Sequence, residues 1–162
     1  SAWAVNELAR LFATGDPSVA SQAWTPDSIR TRYADGGAHY RLFGVRTQDR
    51  LPAAVILRIV DRPEGIRAAV VMDLLCEPNG EGAAEEALGA AERTALAERA
   101  DVMLWLDGVP PGAMSRMVRR RGYLRSREKY ALLLWRDRRA DPFQFSLESR
   151  SWRFTFGDHD TF

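Results

Sequence analysis

The spacing of apolar residues is helical near the start of the chain. Residues 2–13 carry apolar side chains three or four positions apart, a spacing that predicts a short amphipathic helix. A second helix is predicted over 25–33, because Thr25 followed by Pro26 is typical of a helix start. The glycine pair after this helix predicts its end.

Further along, the pattern changes to the shorter period of strands. Strands are predicted over 39–46, 51–60 and 68–76. Their connections are short, so an antiparallel meander is the expected pairing. From 67 to 107 the chain reads as strand, Pro/Gly loop, alanine-rich helix and strand. Such a unit normally places its two strands parallel in one sheet.

The last third of the chain predicts a short helix and further strands. The helix is expected over 113–121, with Gly122 at its carboxyl end. Strand segments are expected at 123–124, 130–135 and 152–156. The predicted class is therefore α/β (α+β), with a single mixed, mostly antiparallel sheet, one parallel strand-helix-strand unit and helices on both faces.

Composition limits the classes of function. The chain has 162 residues and a net charge of +1, so neither nucleic acid nor a membrane surface is favoured by charge. No stretch approaches the roughly 20 apolar residues of a membrane span. Cys76 is the single cysteine, which excludes an internal disulfide and favours a reducing, cytoplasmic location. The preference for arginine and alanine is typical of a high-GC bacterial genome.

The order of predicted elements resembles the GCN5-related N-acetyltransferase (GNAT) superfamily over residues 25–135. The ending, WRFTFGDHD at 152–160, is similar to that of bacterial two-domain GNAT/FemAB-like proteins. The resemblance implies one acyl-CoA N-acyltransferase-like domain over 1–162. It would comprise an N-terminal helix and loop (1–24), a core (25–136), and a connection with a C-terminal strand (137–162). A preceding acetyltransferase-like domain, or a second copy in a homodimer, would be its partner.

The resemblance also implies a site for acetyl-CoA or another acyl-CoA, with no metal. In the family, a loop of the pattern Gln/Arg-x-x-Gly-x-Gly/Ala holds the pyrophosphate through backbone amides and a helix start. The cofactor-binding residues would here be Leu75, Cys76, Gly80, Gly82 and Ala83. The Arg or Gln is missing, and acidic residues crowd the predicted first turn: Glu81, Glu85 and Glu86. The alternative is that this Gly-x-Gly is merely a turn.

Proton transfer is the second feature of the family that the sequence addresses. The tyrosine that commonly protonates the leaving thiolate has its counterpart at Val118, which cannot donate a proton. Asp73, inside a predicted buried strand, is a candidate general base, or a carboxylate paired with an arginine such as Arg58. Asp107, at the end of the next strand, is a candidate for substrate binding, although aspartate before glycine is also typical of turns.

Other constellations are weaker. Cys76 could meet a thioester, but a small buried side chain is the simpler interpretation. An arginine-rich segment surrounds the end of the last predicted helix: Arg116, Arg119, Arg120, Arg121, Arg125 and Arg127. A solvated face explains this segment, and Tyr123 is its one aromatic residue suited to stacking on a base. The favoured hypothesis is N-acyl transfer to a small-molecule or peptide amine. The alternative is a catalytically degenerate domain that binds or supports another domain, and nucleic-acid binding ranks third.

Overall fold

The computed structural model describes residues 2–14, 23–34, 39–106, 113–125 and 155–156. The helices and strands in chain order are α1 (Ala2–Ala13), α2 (Pro26–Tyr33), β1 (Tyr40–Thr47), β2 (Arg50–Asp61), β3 (Arg67–Cys76), α3 (Glu81–Ala97), β4 (Val102–Trp105) and α4 (Ala113–Arg120). The predicted elements up to α4 are thus confirmed, with ends that differ by one or two residues.

The described strands form one mixed sheet in the order β1-β2-β3-β4. β1 pairs with β2 and β2 pairs with β3 in antiparallel register, which confirms the meander. β3 and β4 are parallel, and α3 connects them. The predicted fold class, with one parallel strand-helix-strand unit, is confirmed.

Helices cover both faces of the sheet, and each face has its own apolar core. The α3/α4 face is packed by alanine, leucine and methionine side chains of the two helices, among them Leu88 and Met117. The α1/α2 face is packed by Leu11, Phe12 and Ile29 from the other two helices. Full burial of one such large side chain contributes about 1.5–3 kcal/mol, so the two cores together hold the layers in place.

Local signals explain where α2 and α4 begin and end. The Thr25 hydroxyl accepts from Ser28 N, and Ser28 Oγ accepts from Thr25 N, so the two residues form a capping box at the start of α2. Gly122 follows α4 with a φ of +91°, a left-handed conformation that glycine adopts without strain.

All three strand segments predicted after α4 differ from the structure or lie outside the described residues. Tyr123 and Leu124 form no strand, and Leu124 is 93% exposed, because nothing described pairs with this segment. The predicted strand at 130–135 lies outside the described residues. Thr155 and Phe156 are the described part of the predicted last strand and neither is in a strand, although Phe156 packs into the core of the α1/α2 face.

Over the described part of the chain, none of the helices combines the length and the apolar character needed to cross a membrane.

Candidate functional site

The two parallel strands pair along only part of β3. In the described residues the pairing begins with Ala68 and Val102 and ends with Val71 and Trp105. Beyond that pair, β3 continues to Cys76 while it stays paired with β2 on its other edge. The described chain after β4 ends at Leu106, so beyond Trp105 the course of β3 alone is described. Crevices at the carboxyl ends of parallel strands are where open sheets of this kind bind ligands.

A β-bulge lies directly beyond the last parallel pair. On β2, Leu57 pairs with Val71 and the preceding Ile56 pairs with Asp73, so Met72 is an extra residue on β3. An inserted residue breaks the alternation of side chains between the two faces. As a result both Met72 and Asp73 point to the α1/α2 face.

Asp73 is buried, with 1% of its surface exposed. Tyr33 Oη of α2 donates to Asp73 Oδ2 over 2.5 Å, and Thr155 Oγ1 donates to Asp73 Oδ1 over 2.7 Å. The guanidinium of Arg58, which the sequence offered as an alternative partner, lies 5.7 Å from the centre of the Tyr40 ring. The bulge turns the carboxylate toward α2, so hydroxyl groups satisfy it.

The loop after β3 is a tight turn that leads directly into α3. Glu77 N donates to Pro52 O over 2.8 Å, and Gly80 N donates to Glu77 O over 2.9 Å. Asn79 has a φ of +65°, a region that asparagine tolerates better than most residues. A Cβ on Gly80 would lie 3.0 Å from both carbonyl oxygens, so glycine is required for this approach to the backbone.

The amino-terminal end of α3 is open. No side chain of the described residues caps it, and the first amides of any α-helix have no partner within the helix. Those amides belong to Glu81, Gly82 and Ala83. A Cβ on Gly82 would meet nothing within 4 Å, so the backbone can be approached closely here. Amides in this arrangement are suited to a phosphate or another anion.

The predicted cofactor-binding residues lie at one end of the β3–α3 unit. Leu75 and Cys76 form the end of β3, and Gly80, Gly82 and Ala83 form the start of α3. The Leu75 side chain is buried on the α1/α2 face, whereas the partly buried Cys76 packs on the other face, with Sγ 3.6 Å from Met114 Sδ. Asp107, the predicted substrate contact, lies outside the described residues.

Glu77 occupies the loop position where the family pattern has Arg or Gln, three residues before Gly80. Its carboxylate binds the guanidinium of Arg10 on α1 and lies 2.9 Å from that of Arg50. Arg10 also binds Glu7 at 2.8 Å. These ion pairs connect α1 to the loop. The two positive charges beside the loop are thus already balanced by two carboxylates.

Val118, the counterpart of the family's proton donor, is buried in the core of the α3/α4 face. Arg121, just beyond α4, binds Glu92 of α3 and lies 3.4 Å from Glu85. These carboxylates raise the pKa of Arg121 above its usual range. Glu85, one of the acidic residues predicted to crowd the loop, is therefore drawn toward Arg121.

The arginines of the arginine-rich segment lie in different surroundings in the structure. Arg116, Arg119 and Arg120 are exposed on α4, whereas Arg121 packs along α3 and Arg127 lies outside the described residues. The prediction that Tyr123 is exposed for stacking is wrong. Its hydroxyl lies 3.0 Å from Met103 Sδ, and burial raises its pKa. Within the described ranges, no group of three or more His, Cys, Asp or Glu side chains could hold a metal ion.

Comparisons with known proteins place the fold. No family model matches the chain, and no curated protein matches it. Solved structures do match: a ribosomal-protein-alanine N-acetyltransferase from Brucella melitensis is 17% identical, with a TM-score of 0.61 over 83% of this chain and 95% of its own. A glucosamine-6-phosphate N-acetyltransferase from Arabidopsis thaliana is 11% identical, with a TM-score of 0.51 over 82% and 88%. A Bacillus halodurans protein described as a transcriptional regulator is 10% identical, with a TM-score of 0.61 over 80% and 93%.

The fold is that of the GNAT acyltransferases. At these identities the likeness concerns the arrangement of the backbone. It confirms the element order predicted from the sequence, and it leaves the chemistry to be argued from the residues of this chain.

Sequence reasoning missed the partners of the two central carboxylates. Tyr33 lies four residues after the buried Ile29, so helical spacing alone places it on the inner face of α2. That signal was available. The pairing of Glu77 with Arg10 and Arg50 had no sequence signal, because it joins residues far apart in the chain.

Proposed function

We propose that this chain is an acyl-CoA-dependent N-acyltransferase that transfers an acetyl or other acyl group to an amine. The observation that carries the proposal is the parallel β3–α3–β4 unit, with the uncapped start of α3 following the carboxyl end of β3. A β-bulge lies on β3 directly beyond Val71, the last residue of β3 that pairs with β4 in the described structure. An extended chain that ends in phosphates suits a strand edge followed by free amides.

The backbone of this chain would hold the cofactor. The edge of β3 toward Leu75 and Cys76 would bind the amide-containing arm of acyl-CoA. The amides of Glu81, Gly82 and Ala83 would bind its pyrophosphate, and Gly80 would form the turn that leads into them. Glu81 in the first turn opposes an anion, so we expect modest affinity. Acyl-CoA supplies an activated thioester, whose carbonyl carbon an amine can attack.

Asp73 is the proposed base of the reaction, acting at a point two residues beyond the last parallel pair. The acceptor would be a small-molecule or peptide amine. The known structures with this fold differ in their acceptors, as their names show, so the fold does not choose between the two. We expect a cytoplasmic, bacterial protein.

A second candidate function is binding without catalysis. Val118 stands where a proton donor is usual, and Glu77 replaces the usual Arg or Gln. A degenerate domain of this kind would support another acetyltransferase-like domain or pair with a second copy of itself.

Binding of acetyl-CoA separates the two candidates. Ligand at 100 times its Kd would stabilise the fold by about 2.7 kcal/mol, which a thermal unfolding experiment detects as a higher Tm. We expect this shift in the wild type and its loss in Gly82→Val, which places a branched side chain over the open amides. Ala97→Val introduces the same side chain at the exposed far end of α3 and serves as the matched control.

A Tm that millimolar acetyl-CoA and longer acyl-CoAs leave unchanged would reject the acyltransferase proposal in favour of the degenerate domain. If Gly82→Val and Ala97→Val lose the acetyl-CoA-induced rise in Tm to the same extent, the start of α3 is not where the cofactor binds.

A further inference from the structure

We infer that Tyr33 is the proton-transferring group that meets the acceptor amine, and that Asp73 positions it and receives its proton. This inference rests on the proposed N-acyl transfer. It concerns removal of the proton from the acceptor amine, whereas Val118, the counterpart of the family's thiolate donor, lies on the opposite face of the sheet.

The geometry separates the two roles. Asp73 is almost fully buried, so its carboxylate is poorly placed to touch a substrate directly. Tyr33, at the end of α2, is partly exposed, and its hydroxyl is hydrogen-bonded to Asp73 Oδ2. Tyr33 therefore connects an interior carboxylate with the surface of the α1/α2 face.

The position of this pair matches the proposed reaction centre. Asp73 belongs to the β-bulge directly beyond Val71, the last residue of β3 that pairs with β4 in the described structure. Thr155 Oγ1 donates to the other carboxylate oxygen, so Asp73 is held from two sides. A carboxylate with fixed hydrogen bonds fixes the Tyr33 hydroxyl in turn.

The surroundings of Tyr33 are aromatic and positively charged. The ring of Trp24 stacks on it at 5.7 Å between centres, and the ring of Tyr40 meets it edge-on at 5.0 Å. Guanidinium groups lie beside these rings: Arg32 is 6.0 Å from the Tyr33 ring centre, and Arg58 is 5.7 Å from that of Tyr40. The Tyr33–Asp73 pair therefore lies in a positively charged region of the α1/α2 face.

The proposed step balances in atoms and charge. The amine nitrogen bonds to the thioester carbonyl carbon, and the carbon–sulfur bond breaks to release CoA thiolate. The amine gives its proton to Tyr33 Oη while the proton of Tyr33 moves to Asp73 Oδ2. Water then protonates the thiolate, and Asp73 returns its proton through Tyr33 to solvent.

Tyr33→Phe tests the inference, with Tyr123→Phe as the matched control on the opposite face. Acetyl-CoA is mixed with a lysine peptide, an amino sugar or a polyamine, and release of the CoA thiol gives kcat and KM. Acetyl-CoA affinity and Tm are measured on the same preparations. General acid–base groups contribute about 10²–10⁴-fold, so we expect Tyr33→Phe to lower kcat by at least about 100-fold with acetyl-CoA affinity unchanged. Tyr123→Phe should keep kcat within about threefold.

Asp73→Asn distinguishes positioning from packing, because it keeps the size of the side chain but cannot receive a proton. We expect kcat to fall as it does in Tyr33→Phe. A purely structural role for the pair would lower Tm and leave kcat of the folded fraction unchanged, which would overturn the inference.

Failure of the inference and failure of the proposed function give different results. A wild type that binds acetyl-CoA but releases no thiol with any amine overturns proton transfer by Tyr33 while cofactor binding stands. A wild type that does not bind acetyl-CoA overturns both. An active wild type with an equally active Tyr33→Phe overturns the inference alone.

Discussion

The two faces of the sheet bury different kinds of side chain, although both cover the same strands. The α3/α4 face is built from small and apolar residues, and its helix α3 buries mainly alanine. The α1/α2 face is aromatic, with Phe12, Trp24, Tyr33 and Tyr40 in successive ring contacts. Among the described residues, the one carboxylate classed as buried, Asp73, points to this second face.

This difference indicates that the two faces of the sheet have different roles. Small side chains let α3 lie close to the sheet, so its amino-terminal end is held firmly at the end of β3. Polar chemistry is placed on the α1/α2 face, where hydroxyl groups satisfy a buried carboxylate. Under the proposed function, one face would support the cofactor and the other would serve the acceptor.

The largest expected effect comes from the core of the α3/α4 face. Leu88 is 1% exposed, so Leu88→Ala removes buried methyl groups and leaves a cavity. We expect a loss of about 2–5 kcal/mol in the free energy of unfolding, measured by urea denaturation. A loss below about 1 kcal/mol would show that this face is loosely packed.

The counterpart on the α1/α2 face is Asp73→Ala. This change removes the carboxylate to which the hydroxyls of Tyr33 and Thr155 donate. Hydrogen bonds to charged groups contribute about 1.5–3 kcal/mol, so we expect a destabilisation of that order in the same denaturation experiment. Increased stability would mean that desolvation of the carboxylate outweighs its hydrogen bonds, and that the carboxylate is retained for function alone.

The two loop glycines should respond differently to alanine. In Gly80→Ala the new Cβ would lie 3.0 Å from two backbone oxygens, so the loop must shift at a cost of about 1–3 kcal/mol. Gly82→Ala adds a methyl group in open space at the start of a helix and should change stability by less than about 0.5 kcal/mol. Similar losses for both variants, measured as shifts in Tm, would contradict the close approach described for Gly80.

The smallest expected effect concerns the dependence of the protein's stability on pH. Hydrogen bonds from Arg10 and from Leu51 N hold the pKa of Glu7 below its usual 4.5. A carboxyl group whose pKa is lower in the folded state than in the unfolded state stabilises the fold at pH values above its unfolded-state pKa. That stabilisation is lost as the pH falls through the folded-state pKa. Glu7→Gln should therefore be less stable than the wild type at pH 7, with the gap narrowing below about pH 4.5 in acid-titrated thermal unfolding. A gap that stays constant down to pH 2 would contradict this role of Glu7.

The sequence predicted the fold because its signals are local. Apolar spacing gave the strands, and Thr25 with Pro26 gave the start of α2. The β-bulge was not predictable, since one extra residue on β3 is visible only once β2 is in register with it. The orientation of Asp73 depends on that register, which is why its partners were missed. The ion pairs of Glu77 depend on the docking of α1, a long-range contact of the same kind.

The most direct measurement of the central claim is an amide NMR titration of the ¹⁵N-labelled chain with acetyl-CoA. We expect the largest shifts at the amides of Gly80, Gly82 and Ala83 and along β3 beyond Val71, with little change at the exposed arginines of α4. Absence of shifts at saturating acetyl-CoA, or shifts centred on Arg116, Arg119 and Arg120, would contradict the central claim.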